Sequence, residues 1–147
     1  MGGYGPNSQP TLITGNTFQQ IGTIAGLGGD FGYQGSVCAG LGYLAEHNTY
    51  ETIGYAPVGL FGTGTFRENS LTKGLTVLND GGGVQIDRCD GVKIQDNIIT
   101  NMGDPSNLLQ GAATNFYAAE PITYGIYFGD HYIVNTTVEG NTVSGCD

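Results

Sequence analysis

Five short stretches share one arrangement of apolar and polar positions, each centred on an asparagine. They are Ile13-Thr-Gly-Asn16-Thr-Phe18, Ala45-Glu-His-Asn48-Thr-Tyr50, Phe66-Arg-Glu-Asn69-Ser-Leu71, Ile94-Gln-Asp-Asn97-Ile-Ile99 and Val138-Glu-Gly-Asn141-Thr-Val143. Each has an apolar residue three places before the Asn and another two places after it, and a glycine follows at Gly22, Gly54, Gly74, Gly103 or Gly145. The pattern predicts a short strand, a sharp corner at the Asn and a second short strand, because Asn tolerates the left-handed conformation that a corner needs. If such units stack at about 4.8 Å per coil, the Asn side chains can hydrogen-bond to one another in a ladder. The flanking apolar residues then point into a solenoid core.

A third strand is predicted ahead of the unit in several copies, at Val58-Gly59-Leu60, Val84-Gln85-Ile86 and Ile126-Tyr127-Phe128. Its alternation turns Gly59, Gln85 and Tyr127 outward. The expected fold is therefore all-β, a right-handed parallel β-helix with three strands per coil and roughly five to six coils, forming a single domain over residues 1–147. Successive Asn residues are 32, 21, 28 and 44 apart. A minimal coil is thus near the shortest interval, and the longer ones carry insertions at about 26–42 and 104–124. Both insertions leave the same corner, where long loops suit the walls of a substrate groove.

Composition narrows the class of partner. The chain has 27 Gly in 147 residues, 12% charged residues, and 13 Asp+Glu against 4 Lys+Arg, for a formal net charge of −9. That much Gly without a collagen period fits many tight turns. The Gly-free run Ala112–Ile122 contains Thr114, Asn115 and Pro121, so helix is not expected. So few bases argue against nucleic acid and against an anionic membrane surface, and no apolar run is long enough to span a bilayer. Neutral sugars, or a hard cation such as Ca²⁺, suit an acidic, Tyr-rich surface. Cys38, Cys89 and Cys146 cannot all pair within one chain; they read as small buried apolar side chains, or as one disulfide and a free thiol in an oxidising compartment. Neither terminus shows a capping helix over the sheet edges. The chain is therefore expected to be a segment of a longer secreted protein, or one that associates end to end.

With its Asn corners and the turn Asn79-Asp80-Gly81-Gly82-Gly83-Val84, the chain resembles the right-handed parallel β-helix proteins of the pectate-lyase-like superfamily. The likeness is to secreted bacterial members attached to polysaccharide breakdown. It implies a groove over the first strand of each coil and a polysaccharide as partner. The Asn-Thr-Asp, Asp-Asp and Gly-His-Gly motifs of the polygalacturonases are not intact here, and Gly129-Asp130-His131 echoes the last only in part. Pectate lyases use an Arg or Lys base with Ca²⁺ held by acidic residues. Of Arg67, Arg88, Lys73 and Lys93, Arg88 is the candidate, with carboxylates near it at Asp87 and Asp90.

Carried onto this chain, the resemblance makes Gln85 and Tyr127 the groove floor, with Asp80 entering from the loop side and Tyr124 a stacking platform beside Tyr117 and Tyr132. Asp87, Arg88, Asp130 and His131 leave at the opposite corner. In adjacent coils Asp87 and Asp130 would lie roughly 5–8 Å apart, a separation that suits a glycosidase carboxylate pair or two ligands of one Ca²⁺. His131 is a candidate proton carrier and Arg88 a candidate charge stabiliser or lyase base, whereas His47, beside a ladder Asn, reads as structural. The plain alternative for Asp87 is a carboxylate that accepts turn amides. The expected function is a polysaccharide hydrolase or lyase. The rival is a non-catalytic structural or adhesive solenoid, a Ca²⁺-stabilised one included.

Overall fold

The computed structural model describes residues 10–24, 34–78, 80–104, 106, 122–129 and 131–146. Among the described residues there is no α-helix, and the regular elements are strands. In chain order these are β1 (Thr11–Thr14), β2 (Thr17–Ile21), β3 (Ser36–Cys38), β4 (Leu41–Glu46), β5 (Thr49–Ile53), β6 (Val58–Arg67) and β7 (Ser70–Thr72). They continue with β8 (Asp80–Asp90), β9 (Lys93–Gln95), β10 (Ile98–Thr100), β11 (Ile122–Phe128), β12 (Ile133–Val134), β13 (Thr137–Glu139) and β14 (Thr142–Ser144). Each pairing between them is parallel. Parallel strands joined by chain that circles back one rung higher make a parallel β-solenoid.

Three runs of registered positions show how the repeat becomes a core. On one face Ile13, Ala45, Phe66, Ile94 and Val138 stack in register through β1, β4, β6, β9 and β13. On the second, Phe18, Tyr50, Leu71, Ile99 and Val143 stack through β2, β5, β7, β10 and β14. These are the residues three before and two after each Asn. The middle members Ala45, Tyr50, Phe66, Leu71, Ile94 and Ile99 are fully buried, whereas Val138 and Val143 are 42% and 46% exposed on the last rung. The third face is built from β3, the first residues of β6, β8 and β11, so Val58–Leu60, Val84–Ile86 and Ile126–Phe128 are strands in register. β3 adds a rung from within the 26–42 insertion: Ser36–Cys38 pairs with Val58–Leu60. Residues 25–33, and most of the 104–124 insertion with Tyr117, lie outside the described residues.

The asparagine ladder runs the length of the stack. Asn16, Asn48, Asn69 and Asn97 each donate Nδ2 to the Oδ1 of the next Asn at 2.8–3.0 Å. The backbone N–H of each donates to that same oxygen. The second Nδ2 hydrogen of Asn48, Asn69, Asn97 and Asn141 goes back to the carbonyl of Ile13, Ala45, Phe66 and Ile94. An amide has two donors and two acceptor sites, and the three interior Asn residues fill all four while almost wholly buried.

The corner is made differently from the sequence expectation. None of the five ladder Asn residues has a positive φ; the left-handed residue is the one before it, Gly15 (68°), His47 (55°), Glu68 (54°), Asp96 (54°) and Gly140 (67°). An αL residue turns the chain, and the following Asn can keep its side chain directed into the ladder. A second left-handed position recurs four residues after each Asn, at Gln20, Thr52, Lys73, Asn101 and Gly145.

Cys38 and Cys89 are buried thiols rather than a disulfide pair. Burial pushes the Cys38 thiol up to about 11, and Cys89 Sγ donates to the Leu60 carbonyl at 3.2 Å. Both fill the core as small apolar side chains.

Replacing Asn69 with Ala removes the acceptor of two Asn48 donors and the donor to Ala45 O. Each buried group left unpaired costs about 1–3 kcal/mol, so Asn69→Ala is expected to destabilise by about 3 kcal/mol or more. Asn16→Ala, at the exposed end, is expected to cost less than about 1 kcal/mol. Urea unfolding of both variants checks this, and equal losses would mean that the ladder does not carry the stack.

Candidate functional site

The site is assembled where β8 and the chain after β11 turn the same corner on successive rungs. Tyr127 and Gln85 are registered neighbours, with Phe128 beside Ile86. Ile86 points inward and is fully buried, so Gln85 and Asp87 lie on the outer side of β8. Past Phe128, Gly129 donates its backbone N–H to the Ile86 carbonyl at 2.7 Å. A Cβ on Gly129 would meet Ile86 O at 2.9 Å and Asp87 Cβ at 3.3 Å. Glycine is what lets the upper chain descend onto Asp87, and it brings His131 within reach.

Asp87, Arg88 and His131 converge. His131 Nδ1 lies 2.8 Å from Asp87 Oδ1 and 3.0 Å from Oδ2, and Arg88 NH2 lies 3.0 Å from His131 Nε2. Guanidinium has no acceptor, so Nε2 accepts from Arg88 and the imidazole proton sits on Nδ1, donated to Asp87. Arg88 Nε approaches Asp87 Oδ2 at 4.0 Å, and the carboxylate is the most enclosed of the three, 16% exposed against 56% for Arg88 and 51% for His131. Arg88 itself is left-handed, φ 50°, which turns its side chain back towards the upper rung.

An aspartate orienting an imidazole whose far nitrogen accepts a proton is a general-base arrangement. Here the accepting lone pair is covered by Arg88, so proton transfer at Nε2 requires the guanidinium to swing onto another anion. Along β8 the outer surface continues to Gln85, whose buried Oε1 has no partner among the described residues. Tyr124 and Tyr127 stack beside it with ring centroids 5.5 Å apart, and Tyr124 is 44% exposed.

The other expected positions separate. Asp80, at the far end of β8, is seven residues from Asp87, roughly 23 Å at about 3.3 Å per residue of strand; its carbonyl accepts from Tyr55. It does not join the Asp87–His131 cluster. Asp130 lies outside the described residues, as therefore does its pairing with Asp87 as acid and base or as Ca²⁺ ligands. Among the described residues no group of three or more His, Cys, Asp or Glu is placed to hold a metal ion. His47 pairs with Glu68 at 3.1 Å, a contact between left-handed corner residues of successive rungs. Gly59 is not open floor: a Cβ there would lie 3.2 Å from the Phe61 ring and 3.4 Å from Gln34 Oε1. Gln34, 8% exposed and with Oε1 unpartnered among the described residues, escaped the sequence reading because it fell inside an assigned insertion. The Arg88–His131 contact escaped it because the two are 43 residues apart and carry no shared motif.

No protein-family model, curated protein or solved structure matches this chain. What the fold and the cluster define is an all-β parallel solenoid with an Asp–His–Arg group at one corner.

The geometry predicts the imidazole tautomer. At neutral pH the ring nitrogens in a ¹⁵N spectrum are expected to show His131 protonated on Nδ1. Gly129→Ala, which pushes the upper chain off Asp87, should shift His131 towards the Nε2–H form. An unchanged ring spectrum in Gly129→Ala would mean that the glycine does not position the pair.

Proposed function

We propose that this is a secreted, right-handed parallel β-helix of the pectate-lyase-like kind that cleaves polysaccharide in a groove over the face made by β3, β6, β8 and β11. The parallel coils, the asparagine ladder and the Asp-Gly-Gly-Gly turn support the family reading. The observation that carries the activity is the convergence of Asp87, Arg88 and His131 beside outward Gln85 and the stacked Tyr124 and Tyr127. Tyrosine faces suit the C–H faces of sugar rings.

In this reading Asp87 orients His131 and stabilises the imidazolium that forms when Nε2 takes a proton. The proton comes from water in hydrolysis, or from the carbon next to a uronate carboxylate in elimination. Arg88 leaves Nε2 for an anionic group of the substrate. Asp130, adjacent to His131 in the chain, enters as the second carboxylate, either as the acid partner or as a Ca²⁺ ligand with Asp87.

One observation favours the rival reading, a non-catalytic structural or adhesive module. With Arg88 on Nε2 and Asp87 on Nδ1, the imidazole has no unoccupied nitrogen, and the group acts as a clamp between successive rungs. The two readings part on one experiment. The purified chain is incubated with neutral and acidic polysaccharides, with and without Ca²⁺, while reducing ends and unsaturated-uronate absorbance are followed together. Reducing ends alone mean hydrolysis, both signals mean elimination, and silence across the panel means the clamp. Asp87→Asn and His131→Gln are each expected to lower turnover about 100-fold or more with Tm shifted by only a few degrees. Wild-type turnover in both would reject the site.

A further inference from the structure

A groove of about 480 Å³ lies on a different face from the cluster, over β4, the second half of β6 and β9. Leu44, Thr65 and Lys93 stand in one registered row across it, with Arg67 beside Gln95 in the next. Gly42 (φ 85°) and Gly91 (φ 81°) border it and add no side chain to fill it. The volume lies within the range of small-molecule pockets, about 300–1,000 Å³.

It gathers cations, which are scarce in this chain. The chain holds only 4 Lys+Arg, and two of them, Arg67 and Lys93, line this one groove. Arg67 is spoken for, with Nε and NH2 on Glu46 Oε2 at 2.8 and 2.7 Å. Lys93 is exposed and makes no ion pair among the described residues. Three of the acidic side chains around it have hydrogen-bond partners of their own. Glu46 holds Arg67, Glu139 accepts from Gln95, and Asp90 accepts from Asn135. The Thr63 hydroxyl donates to the Asp90 carbonyl at 2.6 Å. The groove thus presents an ammonium with three uncommitted donors, a Thr65 hydroxyl, and Leu44 as an apolar wall.

The geometry points to a binding site for a small organic acid, independent of the Asp87–His131 cluster. Lys93 takes the carboxylate, Thr65 and the side-chain Oε1 of Gln95 take hydroxyl groups, and the carbon skeleton lies against Leu44. A neutral sugar of the same size meets the same hydroxyl partners but leaves the ammonium without its counter-ion, so the carboxylate decides the preference.

The probes are glucuronate and malate as acids, and glucose as the ring without the carboxylate, each titrated into the ¹⁵N-labelled full chain. Glucuronate or malate is expected to shift the amides of Thr65, Lys93 and Gln95 saturably. Glucose should bind at least tenfold more weakly, and raising the salt should weaken the acids because the contact is between exposed charges. Lys93→Gln is expected to weaken acid binding at least tenfold, while Lys73→Gln, a cation outside the groove, leaves it unchanged. An unaltered spectrum of Lys93→Gln away from the groove shows that the fold is intact. Equal binding of glucose and the acids, saturable shifts elsewhere, no saturable binding, or full binding by Lys93→Gln would each overturn the site.

Discussion

An asparagine side chain that accepts from the rung on one side and donates to the rung on the other can stack indefinitely, and the rest of the molecule is organised around that. Asn48, Asn69 and Asn97 are nearly solvent-free, where an unpaired amide would be strongly unfavourable. They are tolerated because both oxygen lone pairs and both N–H groups are occupied by the adjacent rungs. The ladder also sets the register. A slip of one residue would break the chain of Oδ1 acceptors and turn Phe66 or Leu71 out of the core at the same time. Polar satisfaction and apolar burial therefore select the same alignment.

That alignment is opposed by the backbone. Ten non-glycine residues among those described have positive φ, a conformation that costs an L-residue roughly 1–2 kcal/mol, and Thr52 is β-branched, the least tolerant kind. Seven of them fall on the two recurring corners beside the ladder, and the other three are Leu75, Arg88 and Asn135. The strain persists because neighbouring rungs over-determine those corners through buried contacts and hydrogen bonds. Glu68 and Lys73 flank Asn69, whose bonds and whose buried neighbour Leu71 hold the chain between them. The strength of the ladder is what permits ordinary side chains, charged ones included, at corners that elsewhere would call for glycine.

This division explains what was legible in the sequence. The apolar positions around each Asn repeat because the core demands it, so the strands, their parallel stacking and the ladder could all be read from five aligned segments. The left-handed corners could not. They are occupied by Gly, His, Glu, Asp, Gln, Thr, Lys and Asn, and the neighbouring Asn looked like the natural owner of the turn. β3 was missed for a related reason: Ser36–Cys38 has one inward apolar residue, Cys38, where the other third-face strands have two. Of the candidate site, Asp87, Arg88 and His131 were named from corner position and do meet. Asp80 was drawn in by a glycine-rich turn whose residues serve packing instead, since a Cβ on Gly82 would press into Tyr127 at 2.7 Å.

Chemistry is harder to read than fold here because the two occupy different columns of the same repeat. Inward columns are constrained by every rung above and below, and so they repeat. Outward columns answer only to solvent or ligand and need not repeat: Val37, Gly59, Gln85 and Tyr127 share one column, and Leu44, Thr65 and Lys93 another. Departure from the repeat on an outward column is thus where binding chemistry has room to arise, and periodicity alone cannot say what it binds. The geometry adds the missing constraint by showing which departures are already matched inside the protein. Glu46 with Arg67, Glu139 with Gln95 and Asp90 with Asn135 are closed pairs between rungs. Lys93 remains unmatched among the described residues, and the Asp87–His131–Arg88 group is matched only through an arginine that is more than half exposed. Those two places, on two different faces, carry the chemistry proposed for this solenoid.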